Sequence, residues 1–224
     1  MLSPLSFVEM VADVALPSVF NPYRDVCPKY DIAEAPSIRR DNLANFLSFA
    51  MDAGNISIWV GRDLGYRGGR RTGIALTDEL HLREISQIYP KMPEPRKSTR
   101  GPVMVERTAS VFWRMIRQIE DSLFTWNVFP FHPHEEGNPF TNRCHTSHER
   151  KYVEPLFREL LNILRPTQII AIGNDADNAI KGLGLPCVKV RHPSYGGIAD
   201  FEKGVASLHK MKSLSPTEPQ LHLI

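Results

Sequence analysis

The stretch NISIWVGRDLGYRGGRRTGIALTDE, Asn55 to Glu79, opens as a short β-branched apolar run, closes that run at Gly61, and then breaks into a loop rich in glycine and arginine. A run of this kind, bounded by glycine and too short for a helix, predicts a buried strand over 55–61. Three further runs behave alike: LFTWNVFP at 123–130, QIIAIG at 168–173 and CVKVRH at 187–192. Each follows a segment with helical periodicity. Val105, Ala109, Phe112, Ile116 and Ile119 mark one apolar helix face, and Val153, Leu156, Leu160, Leu161 and Leu164 mark another, with Pro155 near its helix start. Asn174 or Asp175 is expected to cap a helix over 176–183. Strands alternating with helices predict an open parallel sheet. The expected fold class is therefore α/β: one domain over 1–224, a three-layer α/β/α sandwich around a central, mainly parallel four-stranded sheet. Its motif-bearing core spans about 38–212, and 213–224 are expected to form a loose tail. The segment YPKMPEPRKSTRGP at 89–102 reads as a surface loop. In such a sheet ligands sit beyond the carboxyl ends of the strands. The segments to search are then 61–77, 127–148, 173–177 and 192–197.

Composition narrows the class. The 224 residues are 42% hydrophobic and 23% charged, which suits a globular domain with a sizeable core and excludes a disordered or collagen-like chain. No apolar run reaches the roughly 18 residues of a membrane span, so no membrane partner is expected. The opening residues MLSPLSFVEMVADVALPSVF carry Glu9 and Asp13 at helical spacing and read as a first helix, not a signal peptide. Cys27, Cys144 and Cys187 are three in number and far apart, which argues against a disulfide framework, a zinc site or an iron–sulfur cluster. A reducing, cytoplasmic setting and a monomer are the expectations. The net charge of +2 does not by itself imply nucleic acid, but the basic residues cluster at Arg67, Arg70 and Arg71 and again at Arg96, Lys97 and Arg100.

Three of the searched loops carry chemistry. In the first, Gly61, Gly65, Gly68 and Gly69 permit tight turns and close approach, and Arg67, Arg70 and Arg71 can meet phosphate as charge-assisted donors. Asp63 stands among them as a lone carboxylate. It either steers a water and stabilises a developing cation, or caps a turn and pairs with an arginine. The glycine spacing matches neither a dinucleotide fingerprint nor a Walker loop. In the second loop, WNVFPFHPHEEGNPFTNR at 126–143, Asn127 ends an apolar strand and presents a donor and an acceptor together, suited to the edge of a nucleobase. Phe129, Phe131 and Phe140 offer stacking faces or core. His132 and His134 lack a third ligand at useful spacing, so no metal is expected. In the third loop, RHPSYGG at 191–197, His192 at a strand terminus can donate a hydrogen bond to developing charge or simply form a turn, and Tyr195 can enter a groove.

Taken in order, GRDLGYRGGRRTGIALT, WNVFPFHPH and HPSYGG resemble the motifs of the uracil-DNA glycosylase superfamily, over about 56–197. The resemblance implies excision of uracil from single- or double-stranded DNA by cleavage of the N-glycosidic bond, without a cofactor, and location with the nucleoid. It implies Asp63 and His192 as catalytic residues. Asn127, Leu76, Gly65, Tyr66 and Phe140 would then bind the base, and Arg67, Arg70, Arg71, Ser194, Tyr195 and Gly196 would bind DNA. The chain departs from the best-known branch at three positions: Gly65 stands where that branch has a tyrosine that excludes the methyl of thymine, Leu76 where it has a stacking phenylalanine, and Leu64 where it has proline. Three alternatives stay open at this stage: excision of another damaged base such as hypoxanthine, xanthine or an oxidised pyrimidine; recognition of uracil or abasic DNA without turnover; and a nucleotide-binding α/β enzyme.

Overall fold

A computed structural model describes residues 2–212. The tail expected to be loose, 213–224, lies outside the described residues. The elements in order are α1 Pro4–Ala12, β1 Val19–Phe20, α2 Ala35–Ala53, β2 Ser57–Asp63, α3 Gly69–Thr72, α4 Leu82–Ile88, α5 Arg107–Ile116, β3 Leu123–Phe129, β4 His132–Pro133, α6 Ser147–Leu164, β5 Gln168–Ile172, α7 Asn174–Gly182, β6 Val188–Val190 and α8 Ile198–Ala206. The central sheet has the order β3-β2-β5-β6 with every pair parallel, and β1 pairs with β4 in a separate antiparallel ribbon. The expected α/β sandwich with a four-stranded sheet is therefore the fold observed. No helix among the described residues is long and apolar enough to cross a membrane.

The period-2 alternation of the strands decides what each face meets. Ile58 pairs with Phe124 and Val60 with Trp126, so these side chains share one face. There Phe124 packs on Phe46 of α2 and Trp126 on Phe7 of α1. The other face carries Trp59 and Thr125, with Trp59 against Phe201 of α8, which in turn meets Phe112 of α5. Gly61 and Asn127 are the next register pair on this second face. The loop after β2 is tied to it where the Thr125 hydroxyl donates to the Ala75 carbonyl at 2.8 Å.

Several local expectations need correction. Pro155 is not near a helix start, because α6 begins eight residues earlier. A capping box fixes that start: the Thr146 hydroxyl accepts from the Glu149 amide, and the Glu149 carboxylate accepts from the Thr146 amide. The helix tolerates one missing N–H because its apolar face, Val153 to Leu164, is buried. Neither Asn174 nor Asp175 caps α7; Gly173 occupies that position with φ +86°. Val105 lies outside α5 and is exposed. The 89–102 loop is not wholly superficial, since Met92, Ser98 and Thr99 are buried against the core. The long helix α2 lacks a sharp sequence signature because buried Arg39 and Asn42 interrupt its apolar stripe.

Candidate active site at the carboxyl ends of the strands

Beyond the ends of β2, β5 and β6 lies a cavity of about 600 Å³, bordered among others by Asp63, Gly65, Leu76, Glu106, Phe112 and His192. That volume lies within the range of small-ligand sites. A second cavity of about 590 Å³ opens near Ser122, at the amino end of β3, and its lining includes neither histidine nor arginine. The first is the one the fold rule points to.

Asp63 is the last residue of β2 and its side chain is buried. Its carboxylate pairs with Arg62, whose Nε donates to Oδ2 at 2.6 Å, and with the ring Nδ1 of His145 on Oδ1. The His145 amide also points at Oδ1, at 3.4 Å. A carboxylate only accepts, so His145 carries a proton on Nδ1. With about two acceptor positions on each oxygen, one position on Oδ2 is left open. Arg62 spans further to Asp175, donating to its Oδ2 at 2.9 Å. Thus the pairing of Asp63 with an arginine is realised, while its carboxylate still borders the cavity.

His192 follows β6. Its Nδ1 accepts from the Ser194 amide at 3.1 Å and lies 2.8 Å from the Ser194 hydroxyl. With Nδ1 an acceptor, the neutral ring holds its proton on Nε2. Burial, reinforced by Arg62 and Arg191, holds the His192 pKa below the ordinary histidine value. Phe112 fixes the ring from the side in an edge contact with centroids 5.9 Å apart. The site therefore offers a neutral N–H donor.

Asn127 is 1% exposed, and neither its amide nitrogen nor its amide oxygen has a hydrogen-bond partner. A carbon on Gly61 would come within 2.5 Å of Asn127 Oδ1, so the neighbouring strand must carry glycine there. Leu76 presses on the same spot, 3.0 Å from that carbon position. The cavity wall at this point is Gly61 and Leu76, with the Asn127 amide against the glycine. Leu76 adopts φ +59°, a left-handed conformation unusual for a branched apolar residue.

The remaining expectations divide. Gly65, Ser194 and Tyr195 border the cavity, and Tyr195 is 97% exposed at the loop tip with φ +51°. Gly196 follows it with φ +76°. Arg67 is exposed, its Nε donating to the Tyr66 hydroxyl at 2.8 Å. Arg70 and Arg71 do not reach the surface. Arg70 is buried over the Phe20 ring, and Arg71 is buried in an ion pair with Glu79, so neither is available to a phosphate. Tyr66 and Phe140 do not border the cavity either. The Tyr66 amide is held by Asn142, and Phe140 packs edge-on against Tyr30 under Arg70. His132 donates through Nε2 to the Thr141 carbonyl, and no group of three or more metal-ligating side chains occurs among the described residues.

Sequence reasoning missed Arg62, His145 and Glu106. The capping box at Thr146 and Glu149 would have put His145 at a helix entrance within the searched loop, but nothing in the chain order links it to Asp63.

The fold has a solved counterpart. Crystallised wild-type SMUG2 from Pedobacter heparinus, a structure of the uracil-DNA glycosylase superfamily, superposes with a TM-score of 0.60 over 93% of this chain and 96% of its own. Sequence identity is 13%, so the likeness is one of fold. No protein-family model matches the chain, and no curated protein matches it in sequence.

Proposed function

We propose that this protein is a DNA glycosylase that excises uracil by hydrolysing its N-glycosidic bond. The observation that carries the reading is the meeting of Asp63 and neutral His192 on one cavity, with the unpartnered amide of Asn127 behind its wall. The likeness of fold to a superfamily structure supports it.

On this reading the base is extruded from the stack into the cavity, passes over Gly61 and displaces the Leu76 side chain to meet Asn127. The amide then accepts from uracil N3–H and donates to O4, a pattern cytosine does not offer. As the C1′–N1 bond breaks, its electron pair leaves with the base and the sugar becomes cationic. Asp63, positioned by Arg62 and His145, stabilises that cation and orients a water on its open Oδ2 position. The water oxygen bonds to C1′, and the proton it loses passes by way of Asp63 to the medium. The uracil anion is stabilised by the Nε2–H of His192, which needs no charge of its own for that task. Arg191 and the exposed Tyr195 border the cavity and Arg67 is exposed on the loop after β2; these serve as contacts for the DNA backbone and the vacated stack.

An end-labelled oligonucleotide with one uracil, incubated with the protein and then treated with alkali, tests this. Wild type is expected to yield a single cleavage at the uracil, and Asp63→Asn to lose it while still binding the DNA. No cleavage on single strands or on U·G and U·A duplexes would reject uracil excision. Equal cleavage by the variant would leave Asp63 only its structural pairing.

A further inference from the structure

Besides Asp63, the cavity is lined by two carboxyls that the mechanism above does not use: Asp175 is exposed and paired with Arg62, whereas no arginine or lysine reaches Glu106 at salt-bridge distance among the described residues. It precedes α5, and two hydrogen bonds fix it. Its amide donates to Asp78 Oδ2 at 2.6 Å, and its Oε1 accepts from the Thr108 hydroxyl at 3.1 Å. Its carboxyl lies in the dent left by two glycines: a carbon on Gly68 would fall 2.1 Å from Oε2, and one on Gly65 would fall 3.2 Å from Oε1. Asp78 is itself held by His81, so the support does not give way. The carboxyl thus fills the direction in which any side chain at 65 would point, and it forms a polar wall. Burial, aided by Asp78, raises the Glu106 pKa.

What part of a bound base would meet this wall follows by elimination, given the uracil reading. The sugar carbon lies by Asp63, O2 by His192, and the N3–O4 edge by Asn127. Only the C5–C6 edge remains, and Gly65 and Glu106 line the cavity without a part in any of those contacts. Hydrogen at C5 leaves the carboxyl room to keep a water. A methyl at C5 would displace that water and give the carboxyl oxygens no partner in return.

We propose that Glu106 is the specificity-determining residue that rejects bases with an apolar group at C5, thymine above all. It occupies the space that a side chain at position 65 would otherwise fill.

The test compares excision from duplexes that differ only in that methyl, uracil opposite guanine and thymine opposite guanine, by wild type, Glu106→Ala and Glu106→Leu. Alanine opens the wall. Leucine keeps its bulk and makes it apolar, and it is the second variant should the alanine substitution prevent folding. In each folded variant the uracil-to-thymine ratio of kcat/KM is expected to fall by roughly 10- to 200-fold, the range one methyl commands in a pocket, with uracil excision retained. An unchanged ratio in a folded variant that still excises uracil would overturn the assignment, as would a wild type that removes thymine as fast as uracil. A wild type inactive on uracil would instead reject the function on which the inference rests.

Discussion

Asn127 offers a measurement in which stability and function should move in opposite directions. The side chain is 1% exposed, and both amide atoms lack partners. A buried polar group without a partner costs about 1–3 kcal/mol, so two such atoms at the low end cost about 2 kcal/mol. Asn127→Leu removes both and nearly conserves the shape; the absence of a side chain on Gly61 leaves room for a methyl where the oxygen stood. The expected gain is about 2 kcal/mol, or about 4–8 °C in Tm for a chain of this size. Urea unfolding followed by the fluorescence of buried Trp59, Trp113 and Trp126 reads it directly, provided the denaturant slope is unchanged. The same variant should excise uracil far more slowly, because its methyls offer the base neither donor nor acceptor. A variant less stable than wild type would refute the reasoning by showing that the amide is partnered in solution. A variant that keeps wild-type excision would remove Asn127 from base recognition.

Two further outcomes test the support around the site. His145→Ala removes a hydrogen bond to the Asp63 carboxylate, a contact class worth about 1.5–3 kcal/mol, so kcat should fall roughly 10- to 150-fold while KM changes little; an unchanged kcat would show that Arg62 alone suffices. His132 is a second case, away from the chemistry. Burial, with Arg70 nearby, pushes its pKa down to about 3, against about 6.5 in the unfolded chain. Between those values the unfolded chain binds a proton that the folded one refuses, so stability is complete above about pH 6.5 and falls as pH drops toward 3. From about pH 7.5 to about pH 5 this group should remove about 2 kcal/mol. His132→Gln, which keeps a donor for the Thr141 carbonyl, should lose that much less over the same interval, and identical pH dependences of the urea midpoint would refute the assignment.

The elements that set the architecture were legible because burial on both sides of a parallel sheet leaves a local mark. LFTWNVF is buried at every position and reads as a strand without help from its surroundings. The cavity's rim was legible where a polar residue stands at the carboxyl end of such a strand, as Asp63 ends β2 and His192 lies just beyond β6. Arg70 and Arg71 show the limit. Three arginines beside glycines look like a phosphate cradle, yet two of them turn inward because Glu79, further along the same loop, and the rings of Phe20 and Tyr30, from the amino-terminal part of the chain, offer partners there. Charge in a sequence does not say which way it faces. His145 and Glu106 were illegible for the converse reason: each meets the site through tertiary contacts, across 82 residues to Asp63 in the first case.

Several residues that break local rules gather at one place. The left-handed backbone at Leu76, the left-handed and almost fully exposed Tyr195, the histidine held below its ordinary pKa at His192 and the carboxyl raised at Glu106 all border one cavity, and the unpartnered amide of Asn127 abuts its wall. The other left-handed non-glycine residues have structural settings: Asn55 lies between α2 and β2, Ser18 accepts from Arg143, and Arg165 closes α6 before Pro166. Each exception at the cavity lowers stability, and a chain under no functional demand loses little by repairing it. Leucine at 127 and glycine at 76 would be more comfortable in this fold. Their absence is what the proposed function expects at this cavity, because strain and unmet hydrogen bonds persist where a ligand relieves them.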